Sequence, residues 1–213
     1  PIDDFDAYHD RLNRFVFRSG MIMKPIIAAA RSSETRIIYS NGEDERVLRA
    51  AQVLLEDRLA RPILIGRPSV IESRCERFGL KIRPGRDFEF INPEDDPRYR
   101  DYVDTLFTLV GRRGVTPEAA RTMVRSNTTV IGALALHRGE ADALICGLEG
   151  RYSKHLADVR GIIGNAPGVQ DFSALSLLIN SNGATFFTDT YVTIDPSARE
   201  IAETTMLAAE EIR

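Results

Sequence analysis

The sequence predicts an α/β protein built on a mostly parallel sheet flanked by helices. Short apolar runs alternate with stretches whose apolar residues recur at helical spacing. Helical stretches separate the successive strands, as in right-handed βαβ units. After residue 150 the pattern changes to two strands joined by a turn, followed by one helix.

Phe5, Tyr8, Leu12, Phe15 and Val16 predict an amphipathic opening helix, and a shorter helical stretch follows around Met23–Arg31. RIIYS (36–40) predicts the first strand. Val47, Leu48, Ala51, Leu54 and Leu55 place a helix directly after it. PILIG (62–66), ending in glycine, reads as a buried strand. Val70–Phe78 predicts a helix capped by Ser69, and Asp87–Asn92 a weaker strand. Arg98–Arg113 is helical in pattern. Thr116-Pro117-Glu118 combines an N-cap, a proline at the first helical position and an early acid, so it starts another helix. Asn127 caps a third, which stops at Gly139. ALIC (143–146) is a strand running into Gly147. Leu175–Ile179 and Thr185–Thr188 flank Asn180-Ser181-Asn182-Gly183 and predict a hairpin with a longer turn. A long helix then runs from Asp195-Pro196 to Arg213.

A chain of 213 residues, 43% hydrophobic and 28% charged, can bury a substantial core. Its net charge of -3, with no basic stripe, argues against a nucleic-acid partner. The apolar runs are far shorter than the roughly 20 residues a membrane span needs. The first ten residues hold four aspartates and no apolar core, unlike a signal peptide. Cys75 and Cys146 stand alone, which suits a reducing cytoplasm and offers no zinc spacing. A hairpin and one helix close an open sheet poorly. The expectation is a first lobe over 1–150 with N-terminal helices, and a partial second lobe over 151–213 that continues in a larger polypeptide.

Ligands of open α/β sheets bind outside the carboxyl ends of the strands, so two junctions matter. In Asn41–Arg46 a glycine frees the turn, but Glu43, Asp44 and Glu45 would repel an anion. They complement the helix dipole, or else Glu45 or Arg46 edges a cleft. In the second junction Gly147 and Gly150 loosen the turn, and Tyr152 follows Arg151. Arg151, Lys154, His155 and Arg160 form either a clamp for phosphate or carboxylate or a solvated helix face. Cys146 reads as a buried filler, since no base stands beside it. Dinucleotide and P-loop fingerprints are absent, and no cluster has metal spacing.

Several strings resemble phosphate acetyltransferases. NGEDERVLRAA (41–51) resembles their E-G-x-D-x-R-x-x-x-A-A segment, PILIGR (62–67) the next strand, and GEADALICG (139–147) the segment before the acyl-CoA cleft. Phe187-Thr188-Asp189 through Asp195-Pro196 resembles the F-A-D … D-P stretch. FVFRSGMIMKPI (15–26), RRGVT (112–116) and TFFTDTYV (185–192) extend the resemblance to the phosphate-acetyltransferase-like C-terminal region of bacterial NADP-dependent malic enzymes, across essentially the whole chain.

The resemblance implies a two-lobed fold with its second lobe truncated here. It also implies acetyl-CoA or a related acyl-CoA as ligand, homo-oligomerisation, and a malic-enzyme domain of the same polypeptide as partner. NADP and a divalent metal would belong to that other domain, and none to this fragment. Where transferases carry G-A-x-H-S-T, this chain reads GLEGRYS (147–153), without the small-hydroxyl pair. The remaining catalytic residues of the family lie in a later segment, so no catalytic residue is expected in this chain. The implied role is a degenerate regulatory and assembly domain, with a working acetyltransferase and a purely structural dimerisation module as alternatives.

Overall fold

The computed structural model describes residues 4–180 and 183–212, with the side chains of residues 11–19 outside the description. They form two compact units, Ala29–Gly164 and a second made of the chain segments before and after it in sequence, Pro1–Ala28 with Asn165–Arg213. The sequence places a lobe boundary at 150. The compact unit continues to Gly164, because Ile162 of the helix after the boundary is buried in its core.

The chain opens with α1 (Phe5–Ser32), one helix where two stretches are expected. Pro25 lies inside it and removes one backbone donor without ending it. Phe5 and Tyr8 are exposed, and Leu12, Phe15 and Val16 fall among the undescribed side chains.

In the Ala29–Gly164 unit, β1 (Arg36–Tyr39), β2 (Arg61–Ile65), β3 (Glu89–Ile91) and β4 (Ala143–Ile145) form a fully parallel sheet in the order β3-β2-β1-β4. Strand side chains alternate between its faces. Tyr39 and Leu64 pack with Val47, Leu48 and Ala51 of α2 (Glu45–Glu56) and with Ile71 and Cys75 of α3 (Pro68–Arg77). Ile38, Ile63, Ile65 and Ile91 pack on the other face with α4 (Tyr99–Val110), α5 (Pro117–Ser126), α6 (Thr128–His137) and α7 (Tyr152–Ile163). Both faces are therefore covered, which explains the unbroken apolar run at Pro62–Ile65. Every residue of α6 from Thr129 to Ala135 is buried. Its Gly132 lets the helix approach the sheet: a Cβ there would lie 2.6 Å from Leu144 Cδ1 and 3.3 Å from Ile38 Cγ2.

The helix starts follow local chemistry. Thr116 caps α5 with Pro117 in the first turn, and Asn127 Oδ1 accepts from the Thr129 and Val130 amides to cap α6, as the sequence predicts. Ser69 is not a cap. The helix begins at Pro68, two residues before the expected Val70, because proline suits its first turn, and Arg67 at the cap position makes no side-chain cap bond. α4 ends at Val110 rather than Arg113, and a 3₁₀ turn over Gly111–Arg113 leads to left-handed Gly114 (φ 95°).

In the second unit β5 (Leu175–Asn180) and β6 (Gly183–Thr188) form an antiparallel hairpin paired from Leu175–Thr188 to Asn180–Gly183. The ladder reaches further toward the turn than expected, and residues 181 and 182 lie outside the described residues. α8 (Ala198–Ile212) starts at Ala198 with Ser197 as its cap, not at Asp195-Pro196. The Ser197 amide donates to Glu200 Oε2 (2.6 Å) and Ser197 Oγ accepts from the Glu200 amide (3.3 Å), a capping box. Among the described residues no helix is long and apolar enough to cross a membrane.

At the amino edge of the sheet, Arg36 at the start of β1 binds the segment before β4. Its guanidinium donates to Asp142 Oδ1 (2.8 Å), to Asp142 Oδ2 (3.2 Å) and to the Glu140 and Gly139 carbonyls. Its amide donates to Asp142 Oδ2 (2.8 Å), and the Asp142 amide returns a bond to the Arg36 carbonyl (2.9 Å). Glu140 receives Tyr102 Oη (2.6 Å), Arg98 (3.0 Å) and Arg138 (2.7 Å). The Gly139–Asp142 string thus joins β1, α4, α6 and β4.

Hydrogen bonds from Arg36 pull the Asp142 carboxyl down to about 2, against an ordinary 3.8. A depressed carboxylate stabilises the fold fully above its unfolded value, and that contribution is lost as pH falls through the folded value. Stability is expected to drop between about pH 4 and pH 2, and Asp142→Asn to remove part of that slope. Urea midpoints measured across the acid range check this. In Gly42→Ala the new Cβ would stand 2.7 Å from the Ile65 carbonyl oxygen, on rigid backbone. A loss of about 1–3 kcal/mol in urea unfolding is expected.

Candidate functional site

In the order β3-β2-β1-β4 the chain builds outward from β1 in one direction and then crosses to its other side. The switch lies between β1 and β4, where open parallel sheets form a crevice beyond their carboxyl ends. A cavity of about 320 Å³ lies there, lined by Tyr39, Asn41, Arg46, Val47, Cys146 and Gly147 among others. A second cavity of about 330 Å³ sits over the ends of β1 and β2, lined by Ser40, Asn41, Gly42, Arg74, Thr128 and Glu149. Asn41 belongs to both.

The loop after β1 is tied down by its own acids. Gly42 donates its amide to the Ile65 carbonyl (3.0 Å), drawing the loop onto the end of β2. Glu43 accepts from the Arg67 amide (2.9 Å), Nε (2.9 Å) and Nη2 (3.0 Å), and these bonds, led by the guanidinium, lower its pKa. Arg74 also donates to the Glu43 carbonyl. Asp44 caps α2, accepting from the Arg46 amide (2.8 Å), and holds the Arg46 guanidinium at Nε and Nη2 (3.0 Å each). Glu45 pairs with Arg49 one turn on, at 2.7 Å. Each of the three acids therefore has its own arginine, and the acidic turn the sequence shows is locally neutralised. Arg46 remains largely exposed, at 64% of its side chain, on the crevice wall.

The loop after β4 depends on two glycines and a histidine. Gly147 (φ 85°) and Gly150 (φ 95°) occupy left-handed backbone that a side chain strains. His155, in the first turn of α7, sits between them. Its Nε2 meets the Glu149 carbonyl at 2.6 Å and its Nδ1 meets Thr129 Oγ1 at 2.8 Å. A carbonyl only accepts, so Nε2 carries a proton, and a neutral ring takes the Thr129 hydroxyl proton at Nδ1. A Cβ at Gly150 would approach His155 Nε2 to 3.0 Å. Next on α7, Asp158 accepts from Asn127 Nδ2 (2.7 Å) and more loosely from Lys154 Nζ (3.4 Å). Asn127 thus caps α6 and tethers α7 at once.

The structure brings Arg46 and Gly147 together on one cavity wall, and Gly150 against His155. It occupies Glu45 with Arg49 and Lys154 with Asp158. Arg151 precedes α7, Tyr152 begins it, and Arg160 follows two turns later, all exposed and outside the linings of the two cavities. Burial, reinforced by Asp158, raises the Cys146 thiol further above neutrality, so it stays protonated. Among the described residues no group of three or more His, Cys, Asp or Glu side chains could hold a metal ion. The sequence places Asn41 and Glu149 within the two junctions without giving either a role, and it misses Thr129. Asn41 carried a signal, standing just beyond the carboxyl end of a strand. Thr129 reaches the site only through the packing of α6 on α7.

Comparison with known proteins places these features. A family model described as phosphate acetyl/butaryl transferase matches residues 21–213. The chain is 72% identical over 214 residues to the NAD-dependent malic enzyme of Rhizobium meliloti (strain 1021), covering 100% of this chain and 28% of that protein. It is 47% identical to the NADP-dependent malic enzyme of Escherichia coli (strain K12), again over 100% of this chain and 28% of the relative. The phosphotransacetylase from Streptococcus pyogenes superposes with a TM-score of 0.75 at 25% identity, over 86% of this chain and 56% of its own. The chain therefore spans little more than a quarter of the malic enzymes it matches. Their names differ in nicotinamide coenzyme, so the expected tie to NADP in particular does not follow from these matches.

Gly150→Ala places a side chain both in left-handed backbone and against the His155 ring. It is expected to destabilise the unit by about 1–3 kcal/mol. His155→Ala should raise amide hydrogen exchange in 147–151 without unfolding the sheet. Unchanged exchange there would show that His155 does not hold the loop.

Proposed function

The chain belongs to the phosphate acetyl/butaryl transferase family, and from that membership we propose that its crevice is a degenerate acyl-CoA site regulating a malic enzyme of which this chain is one region. The parent protein would oxidise and decarboxylate malate to pyruvate with a nicotinamide coenzyme and a divalent metal, both held in its malic-enzyme domain. This region would bind acetyl-CoA or a related acyl-CoA and contribute to assembly of the homo-oligomer.

The observation that carries the reading is the cavity at the β1–β4 switch point, lined by the exposed Arg46 and by Gly147 of the loop after β4. Arg46 offers a guanidinium to an anionic ligand. Arg151 and Lys154 add positive charge at the start of α7. The Lys154–Asp158 contact is long and its lysine end is exposed, so the ammonium can turn to an incoming phosphate while Asn127 keeps Asp158 bonded. Arg160, two turns on, extends the same line of charge.

Acetyl transfer between CoA and phosphate requires cations on the phosphate and donors aimed at the developing oxyanion. The loop over 147–153 lacks the small-hydroxyl pair of transferases, and the Thr129 hydroxyl is engaged by His155. That supports binding without turnover. Regulation then requires the ligand to bind two states of the assembly with different affinity.

The test is acetyl-CoA titrated into the full-length protein. Malate oxidation is expected to change with acetyl-CoA, and thiol release from acetyl-CoA plus phosphate to stay at background. A ligand at about a hundred times its Kd raises folding stability by about 2.7 kcal/mol, read as a higher Tm. Arg46→Ala should weaken acetyl-CoA binding about tenfold by removing a charge-assisted contact. Clear turnover would establish a working acetyltransferase instead. Neither a Tm shift nor an effect on malate oxidation would leave a purely structural module.

A further inference from the structure

A groove between α4 and α5 shares no residue with the crevice or with its neighbouring cavity. Its volume of about 310 Å³ matches the smaller small-molecule sites, which run from roughly 300 to 1,000 Å³. Tyr99, Arg100, Asp104, Phe107 and Arg121 line it. Tyr99 Oη donates to the Arg121 carbonyl (3.2 Å), fixing one wall to the other. Phe107 is 41% exposed on a helix that buries Tyr102, Val103, Leu106 and Val110, so its ring is open to the groove rather than part of the core.

Many arginines of the unit are closely paired with carboxylates, and those lining this groove are not. Arg36, Arg46, Arg67 and Arg98 each sit within 3.0 Å of a carboxylate oxygen. Among the described residues Arg100 makes no hydrogen bond or ion pair. The Arg121 guanidinium reaches only Glu118 at 4.0 Å, where the carboxylate side chain is 91% exposed and the contact adds almost nothing. Asp104, one turn from Arg100 on α4, likewise holds no cation among the described residues. Phe107 lies seven residues beyond Arg100, about 10 Å along the helix axis. The groove therefore presents two uncompensated guanidiniums at one end, an aromatic face at the other, and a single acceptor between them.

We infer that this groove is a binding site for a purine nucleoside monophosphate. The phosphate sits between Arg100 and Arg121, whose planar forks suit its oxygens. The purine ring lies against Phe107, because the Tyr99 ring stands at the arginine end and is already faced by the Arg125 guanidinium, 4.9 Å from its centroid. Its exocyclic amine donates to Asp104, an acceptor-only carboxylate. The site is separate from the proposed acyl-CoA crevice and does not rest on it.

The test is calorimetric titration of the full-length protein with AMP, adenosine and inorganic phosphate in turn. With saturating NAD filling the coenzyme site of the malic-enzyme domain, AMP is expected to saturate one site per chain, with adenosine and phosphate each at least about tenfold weaker. Saturating acetyl-CoA should not displace it. The Arg100→Ala, Arg121→Ala double variant should reduce AMP binding to the level of adenosine. Both arginines are exposed, so its Tm should match that of the parent protein. If the Tm falls, the single Arg121→Gln variant carries the comparison, with a loss of about tenfold expected. The proposal is overturned if AMP gives no binding, if phosphate alone binds as tightly as AMP, if acetyl-CoA displaces AMP, or if the arginine variants bind AMP like the parent.

Discussion

The bonds between Arg36 and Asp142 set the register of β1 against β4, and the geometry at the far end of the sheet depends on that register. The pairing is reciprocal: the Arg36 amide donates to the Asp142 carboxylate, and the Asp142 amide donates to the Arg36 carbonyl. Ile37, Ile38 and Tyr39 then stand opposite Ala143, Leu144 and Ile145. A slip of one residue would turn Ile38 and Tyr39 to the wrong faces and part the two loops that form the crevice. Because the sheet is parallel, both loops emerge at the same edge, and the switch in strand order leaves a gap between them.

Each loop is held by a different device. The first is held by close backbone approach and ion pairs, with Gly42 against Ile65 and Glu43 on Arg67. The second is held by His155, whose ring spans from α6 to the Glu149 carbonyl. These interactions explain why a turn rich in acids lies beside a cavity proposed for an anion. Every carboxylate there is matched by an arginine, and Arg46 still presents most of its side chain to the opening. The His155 latch also gives the altered 147–153 segment a structural purpose, since the polar groups it spends on holding the loop are no longer available to a substrate.

The hairpin and α8 follow a different logic. Ser197 and Glu200 satisfy one another at the helix start, so α8 is locally well specified. Both strands nevertheless expose large apolar side chains, among them Leu177, Leu178, Phe186 and Phe187. A two-stranded sheet has no second layer of its own to bury them.

Local chemistry was legible in the sequence wherever one or two residues decide the outcome. Thr116-Pro117 and Asn127 marked helix starts because an N-cap needs only a side-chain acceptor and a few orphan amides. The strands at 36–40, 62–66 and 143–146 were legible because burial on both faces demands continuous apolar runs. Ser69 misled because a proline in the first turn outranks a neighbouring hydroxyl, and the two opening helical stretches merged because Pro25 interrupts one bond and not the helix. The sequence by itself determined the class of fold and the two strand-to-helix junctions that flank the crevice. Only the tertiary structure decided which charges remain available. Arg46 stays exposed in its pair with Asp44 while Glu43 and Glu45 are matched by other arginines, His155 is committed to Thr129 and Glu149, and Arg100 and Arg121 have no close carboxylate among the described residues. Those outcomes depend on partners up to tens of residues away in the chain, and no local pattern records a contact that exists only after the helices have packed.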